Sequence, residues 1–290
     1  MRPLSLCYAG AARLARAAPA GVRYPLAELG GRAWYALSVP QRRHAIRNYA
    51  AVLGLPESDP RVARTARRAF EGYGEMLADF LLLGRLSKEE LVSRVTHDGH
   101  ESIAASLQAG RGCIMALPHM GSWDVAGSYA AAVGYPIVAV AERFPGSLDT
   151  AVVEARTRFG LEVIPLGRAA VREVSRALRE NKLVAMVCDL PPPGGGGVPV
   201  RFFGRRALVP SGPAAFAVRM GTPIVAAGIY RIAPGRYHVS VGEPIPVPEG
   251  GGKEAVVPLM QRVVEHFETY IRRCPEQWYA FKRVLAEPVR

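Results

Sequence analysis

The residues of this chain best suited to chemistry lie together at 112 to 124, Gly-Cys-Ile-Met-Ala-Leu-Pro-His-Met-Gly-Ser-Trp-Asp. An apolar strand there ends at Pro118 and delivers His119 into a turn before a helix, and strand ends in α/β sheets are where ligands bind. Gly121 lets the backbone turn tightly, Ser122 can cap the helix, and Asp124 falls in its first turn, from which a carboxylate can reach back to the imidazole. A histidine titrates near neutral pH and serves as a general base; a carboxylate on one ring nitrogen fixes its tautomer and orientation. Such a pair is the base half of a triad whose nucleophile is a hydroxyl of the substrate, so no protein nucleophile is required. Backbone N–H groups of Gly121 and Ser122 are candidate donors to the oxyanion of a tetrahedral intermediate. The spacing His-x-x-x-x-Asp alone is common. The strand-turn-helix setting distinguishes it, and His44, His97, His100, His238 and His266 lack that setting and read as surface or structural residues.

Further candidates sit at other strand ends. Glu142 and Arg143 follow a strand at 136 to 140. Asp189 ends a buried strand at 182 to 188, either as a site residue or as a cap for amides of the Pro-Gly loop at 191 to 197. In VPVRFFGRRALVPSGP, Phe203 and Gly204 stand beside Arg201; the ring suits an acyl tunnel and the arginine a phosphate, and strand packing accounts for the ring equally well. The glycine run has no Lys-Ser/Thr sequel and is not a nucleotide P-loop. No Gly-x-Ser-x-Gly elbow exists, which argues against a lipase or thioesterase. Cys7, Cys113, Cys188 and Cys274 show no metal-ligand spacing, so neither a metal nor a disulfide framework is expected, and they fit a reducing compartment. Cys113 and Cys188 lie in apolar runs and read as small buried hydrophobes.

The elements that must position these groups follow from periodicity. Helices are expected at 41 to 55 and 60 to 83, and Ser87 to Glu90 has the form of a capping box. From about 94, apolar strands (112 to 117, 136 to 140, 162 to 165, 182 to 188, 223 to 230, 236 to 241) alternate with helices (122 to 133, 147 to 160, 168 to 180, 211 to 220). Helices at 253 to 273 and 276 to 285 close the chain. This predicts an α/β fold with a central, mostly parallel sheet flanked by helices. It is read as one domain over 1–290, with a helical part at 1–93, the core at 94–250 and C-terminal helices at 251–290. The formal charge of +12 calls for an anionic partner. Residues 1 to 50 hold eight arginines against Glu28 alone, interleaved with Leu4, Leu6, Tyr8, Leu14, Trp34 and Tyr35. That mixture suits amphipathic helices lying on an anionic membrane surface, or a basic helix closing the core. No apolar segment is long enough to cross a bilayer.

The segment LPHMGSWD resembles the HxxxxD motif of glycerolipid-type acyltransferases. The chain is further similar to their bacterial branch, the lipid A lauroyl and myristoyl acyltransferases and the phosphatidylinositol mannoside acyltransferases. The likeness extends through QRRHAIRNYAAVLG, RTARRAFEGYGEMLADF, VAERF, GLEVIPL, VPVRFFGRRALVPSGPAAFAVRMGTPIV and PEQWYAFKR. The resemblance implies an α/β acyltransferase with no cofactor, an acyl-CoA or acyl carrier protein donor, a glycolipid or phospholipid acceptor, and peripheral attachment at the cytoplasmic face of the cell membrane. By the same resemblance, Arg156 matches an arginine near the active-site groove; the residues themselves equally allow a surface arginine paired with Glu154 or Glu162. The mannoside enzymes use a third acid in the stretch matching VPVRFFG. This chain has no Asp or Glu between Asp189 and Glu243, so Asp189 or Glu142 substitutes, or the pair suffices. A basic membrane-binding protein with a vestigial motif is the non-enzymatic alternative. Nucleic acid is not an expected partner, since no zinc finger or RNP motif accompanies the arginines.

Overall fold

A computed structural model describes residues 17–143, 147–192, 195–248 and 250–288, together with residues 10 and 13. The basic-apolar mixture around Leu4, Leu6, Tyr8 and Leu14, and Cys7, lie outside the described residues.

The helical part comprises α1 (Ala20–Leu37), α2 (Val39–Leu53), α3 (Pro60–Leu83) and α4 (Lys88–Ser93). Asp59 caps α3 by accepting from the Arg61 N–H, Pro60 occupies its first turn, and Val62, Ala66, Ala69, Phe70, Met76 and Phe80 form its buried stripe. The capping box of Ser87 and Glu90 starts α4 as its spacing predicts. Small residues let α1 and α3 touch backbone to backbone: a Cβ on Gly31 would stand 2.3 Å from the Phe70 carbonyl oxygen, and one on Gly74 2.3 Å from that of Ala27. Amphipathic segregation holds for α3 and fails for α1, whose Val22, Leu26, Leu29 and Leu37 are exposed while Tyr24 and Gly31 face inward.

The core follows as β1 (Val95–Asp98), α5 (Glu101–Gln108), β2 (Cys113–Leu117), α6 (Trp123–Ala132), β3 (Ile137–Ala141), α7 (Ser147–Thr157), β4 (Glu162–Pro165), α8 (Ala170–Arg179) and β5 (Leu183–Val187). After β6 (Val198–Phe202) and β7 (Arg205–Val209) come α9 (Gly212–Met220), β8 (Ile224–Ala233), β9 (Arg236–Ile245), α10 (Val256–Arg273) and β10 (Leu285–Pro288). The seven-stranded sheet has the order β1-β9-β8-β2-β5-β3-β4, and every neighbouring pair is parallel except β8 and β9. Strands buried on both faces explain the unbroken apolar runs of β2 and β5. The buried residues form two apolar clusters, one on each side of the sheet.

Two expectations are corrected. The segment 276 to 285 is not a helix: a 3₁₀ turn at Pro275–Gln277 gives way to extended chain. The buried Asn48 side chain donates to the carbonyls of Ala280 and Lys282 and accepts from the N–H groups of Val284 and Leu285. It thereby takes up backbone groups that a helix would satisfy internally. Secondly, the VPVRFFGRRALVP stretch, assigned no strand from the sequence, forms the β6–β7 hairpin, which pairs with β10 in a separate three-stranded sheet.

The helical part is tied to the sheet by a buried charge cluster. Tyr24 and Tyr237 donate to the two oxygens of Asp79 at 2.6 and 2.5 Å, and Arg231 bridges Glu75 at 2.7 Å and Asp79 at 3.4 Å. Among the described residues, no helix is long and apolar enough to cross a membrane.

Candidate active site

Strands β2 and β5 are parallel neighbours in register, with Leu117 opposite Val187. Two residues further along each, His119 and Asp189 meet beyond the carboxyl edge of the sheet. The His119 Nδ1 lies 2.5 Å from the Asp189 Oδ1, and the His119 backbone N–H donates to the same oxygen at 3.0 Å. The other oxygen accepts from the Trp278 indole N–H at 2.6 Å. Asp189 is fully buried, and three donors converge on it. Because a carboxylate only accepts, Nδ1 carries the proton and Nε2 is left as the basic nitrogen.

The turn is held from behind by the extended C-terminal segment. Met120 and Trp278 form an antiparallel bridge, Tyr279 N–H donates to the His119 carbonyl at 2.7 Å, and Gly121 N–H donates to the Gln277 carbonyl at 3.2 Å. The Tyr49 hydroxyl donates to the Trp278 carbonyl. Gly121 has φ +59, and a Cβ there would lie 2.2 Å from the Ile229 carbonyl oxygen, so only glycine fits.

This geometry changes the pairing expected from the sequence. Asp189, not Asp124, holds the His119 ring. The Asp124 carboxylate accepts from Arg156 Nε at 2.6 Å, with both side chains nearly buried. Arg156 is therefore paired with neither Glu154 nor Glu162, the latter being bound by Lys182 at 2.7 Å. The oxyanion assignment also changes. The Gly121 N–H is spent on Gln277, and the buried Ser122 caps α6 by accepting from Val125 N–H. Neither residue lines the cavity described next.

A cavity of about 820 Å³ opens beside His119 and is lined also by Asp124, Glu142 and Arg156. Its remaining wall is mostly apolar and draws on both faces of the sheet. Met115, Leu117 and Ile229 belong to one core cluster; Met186, Cys188 and Val174 belong to the other. The cavity thus wraps the carboxyl ends of the strands. Exposed residues line it at Glu142, Leu166 and Val171, and again at His97, His100 and Val133. His97 and His100, read from the sequence as surface or structural, are surface residues that also contribute to this wall. Burial pushes the Cys113 thiol up to about 12 and raises that of Cys188 as well, which fits the reading of both as packed hydrophobes.

Arg143 is exposed and does not line the cavity. Nor do Arg201, Phe203 and Gly204, which lie on the β6–β7 hairpin. Phe203 (φ +49) and Gly204 (φ +71) form its two-residue turn, where positive φ at both positions matches the twist of the flanking strands. Phe203 stacks on Phe202 at 4.8 Å under Arg272, and Phe202 packs edge-on against Trp278 at 5.6 Å. The rings therefore back the indole that holds Asp189 instead of lining an acyl tunnel. Sequence reasoning missed Trp278, Tyr49 and the cavity-lining Lys282. Their only signal was membership in resembling stretches, PEQWYAFKR for Trp278 and Lys282 and QRRHAIRNYAAVLG for Tyr49. Among the described residues, no group of three metal-ligating side chains occurs.

Comparison with known proteins identifies the family of the chain. Residues 4–286 match the family described as bacterial lipid A biosynthesis acyltransferase. A phosphatidylinositol mannoside acyltransferase of Mycolicibacterium smegmatis is 32% identical over 230 residues, which cover 76% of this chain and 72% of that protein. One of Mycobacterium tuberculosis is 33% identical over 190 residues, 62% of this chain and 58% of that protein, so the match spans little more than half of that relative. With nearly its whole length matched, the chain belongs to the bacterial lipid A biosynthesis acyltransferase family.

Proposed function

We propose that this protein is an O-acyltransferase that moves a fatty acyl group from a thioester, on coenzyme A or acyl carrier protein, to a hydroxyl of a glycolipid or phospholipid. Phosphatidylinositol mannoside-like and lipid A-like acceptors are the candidates, since those are the substrates named for the relatives and the family. The observation that carries the reading is a histidine with a buried carboxylate on Nδ1, set in the wall of a large apolar cavity.

In this mechanism the acceptor oxygen attacks the thioester carbonyl carbon as its proton passes to His119 Nε2. The imidazolium, stabilised by Asp189, returns that proton to the sulfur as the C–S bond breaks, leaving an ester and a free thiol. Arg156 and Lys282 are cationic side chains of the cavity wall suited to the developing charge. The apolar wall shelters the acyl chain. Association with the cytoplasmic face of an anionic membrane is part of the proposal. Val22, Leu26 and Leu29 recur at i, i+4 and i+7 on the exposed side of α1, in a chain of formal charge +12.

Purified protein incubated with labelled palmitoyl-CoA and membrane lipid extract should yield an acylated lipid, and His119→Ala should abolish it. Full activity in the alanine variant would exclude His119 as the base.

A further inference from the structure

Asp189 accepts three hydrogen bonds, and two of them come from His119 itself, both onto Oδ1. Two donors on one oxygen leave the carboxylate able to turn about its Cβ–Cγ bond, a torsion with broad wells. The third donor, the Trp278 indole N–H, meets Oδ2 at 2.6 Å and fixes the plane in which the carboxylate faces Nδ1. The indole itself has no room to drift. It is fully buried, with the rings of Phe202 at 5.6 Å, Phe203 at 6.0 Å and Tyr49 at 6.2 Å around it. Its backbone is pinned by the bridge to Met120 and by the Tyr49 hydroxyl on its carbonyl. Asn48 secures the tail beyond it through Ala280, Lys282, Val284 and Leu285. Tyr49 and Asn48 belong to α2, so the helical part reaches the His119–Asp189 pair from behind: neither they nor Trp278 line the cavity.

We infer that Trp278 is a positioning residue of the reaction, holding Asp189 against the His119 Nδ1 from outside the cavity, and that Tyr49 and Asn48 of α2 act through it. The inference rests on the acyl-transfer reading above and adds to it the groups that keep the base aligned. Two consequences follow from the geometry. Trp278 meets no substrate, so its loss acts on kcat and spares KM. Its N–H also stabilises the charged form of the carboxylate, so without it the coupled pair takes up a proton more readily, and activity on the acid side fails at a higher pH. Other titratable groups packed here leave that limb in place. Burial pushes up the Cys188 thiol and the Tyr49 and Tyr279 hydroxyls, so all three stay neutral through the neutral range. Asp124, Glu142, Arg156 and Lys282 line the cavity, which the indole does not reach, and stand alike in wild type and variant.

The test replaces Trp278 by benzothienylalanine, which keeps the shape of the indole with sulfur in place of the N–H. Trp278→Phe and Tyr49→Phe are independent second variants, and a urea melt establishes that each is folded at the assay temperature. Rates are taken with palmitoyl-CoA as donor and membrane lipid extract as acceptor. The benzothienylalanine variant should lose kcat about tenfold at neutral pH with KM unchanged, and its acid limb should move up by about one to two pH units, as loss of one hydrogen bond to a charged group predicts. Tyr49→Phe should do the same more weakly. Three results would overturn the inference: wild-type kcat in the folded variants, a loss carried by KM, or a lower kcat with an unmoved acid limb, as a mere loss of packing would give. Nitrogen-15 labelling of histidine reads the same alignment without substrate, the His119 signals being identified by their absence from His119→Ala. Wild type should hold the proton of the neutral ring on Nδ1, and the benzothienylalanine variant should show both tautomers. If wild type transfers from no thioester, the acyl-transfer reading fails. The tautomers then still decide the positioning role, since an unchanged Nδ1–H form in the folded variant would refute it.

Discussion

Replacing Asp189 by Asn tests the site directly. The carboxylate is fully buried and accepts from the His119 backbone N–H, the His119 Nδ1–H and the Trp278 indole N–H. An amide of the same shape has one acceptor oxygen and one donor NH₂ group. With its oxygen toward His119, its NH₂ opposes the indole N–H; flipped, it opposes both His119 donors. Either orientation leaves a buried donor unpaired, at about 1–3 kcal/mol of stability. Activity should fall further, because the imidazolium loses its negative neighbour and Nδ1 its fixed proton. General-base catalysis contributes about a hundred- to ten-thousand-fold, so kcat/KM should drop by at least a hundredfold, roughly 3 kcal/mol of activation free energy. Initial rates with palmitoyl-CoA, taken alongside a urea melt showing the variant folded at the assay temperature, measure both effects. A folded Asp189→Asn variant within threefold of wild-type kcat/KM would refute the assignment of Asp189 as the partner of His119.

Three more outcomes are expected. Ala130→Phe, on the cavity face of α6, should shift preference toward shorter acyl donors, with discrimination of about tenfold or more against the longest chain accepted by wild type; an unchanged chain-length profile would remove this lobe from the acyl site. Arg231→Ala should destabilise by about 3–5 kcal/mol in urea unfolding, since it leaves the buried Asp79 carboxylate without its cation; a loss below about 1 kcal/mol would mean the cluster is not charged as described. Alkali should loosen the same cluster. Burial first, and the hydrogen bond to Asp79 second, push the Tyr24 hydroxyl up to about 12, above the unfolded value near 10. The stability it contributes is full below about pH 10 and is lost as pH rises through about 12. Denaturant midpoints constant from pH 10 to 12 would contradict this.

The amino-acid sequence carries the alternation of strands and helices from about residue 94, because apolar periodicity and caps are local properties, and with it the placing of His119 at a strand end. It also exposed Asp189 as a second strand-end residue, though not what Asp189 does. Three structural facts lay beyond local reading. The extended tail at 278 to 285 is dictated by Asn48, more than 230 residues away in the chain. The β6–β7 hairpin turns on Phe203, a residue that seldom adopts positive φ, so no usual turn signal marked it. The partner of His119 is the third. Asp124 is close in sequence, yet a helix's first turn gave it to Arg156. Asp189 is 70 residues distant, yet the register of two neighbouring parallel strands brings its carboxylate to the imidazole. Spacing along a chain fixes distances only within one element. Between elements the register of the sheet fixes them, and that is decided when the strands pair.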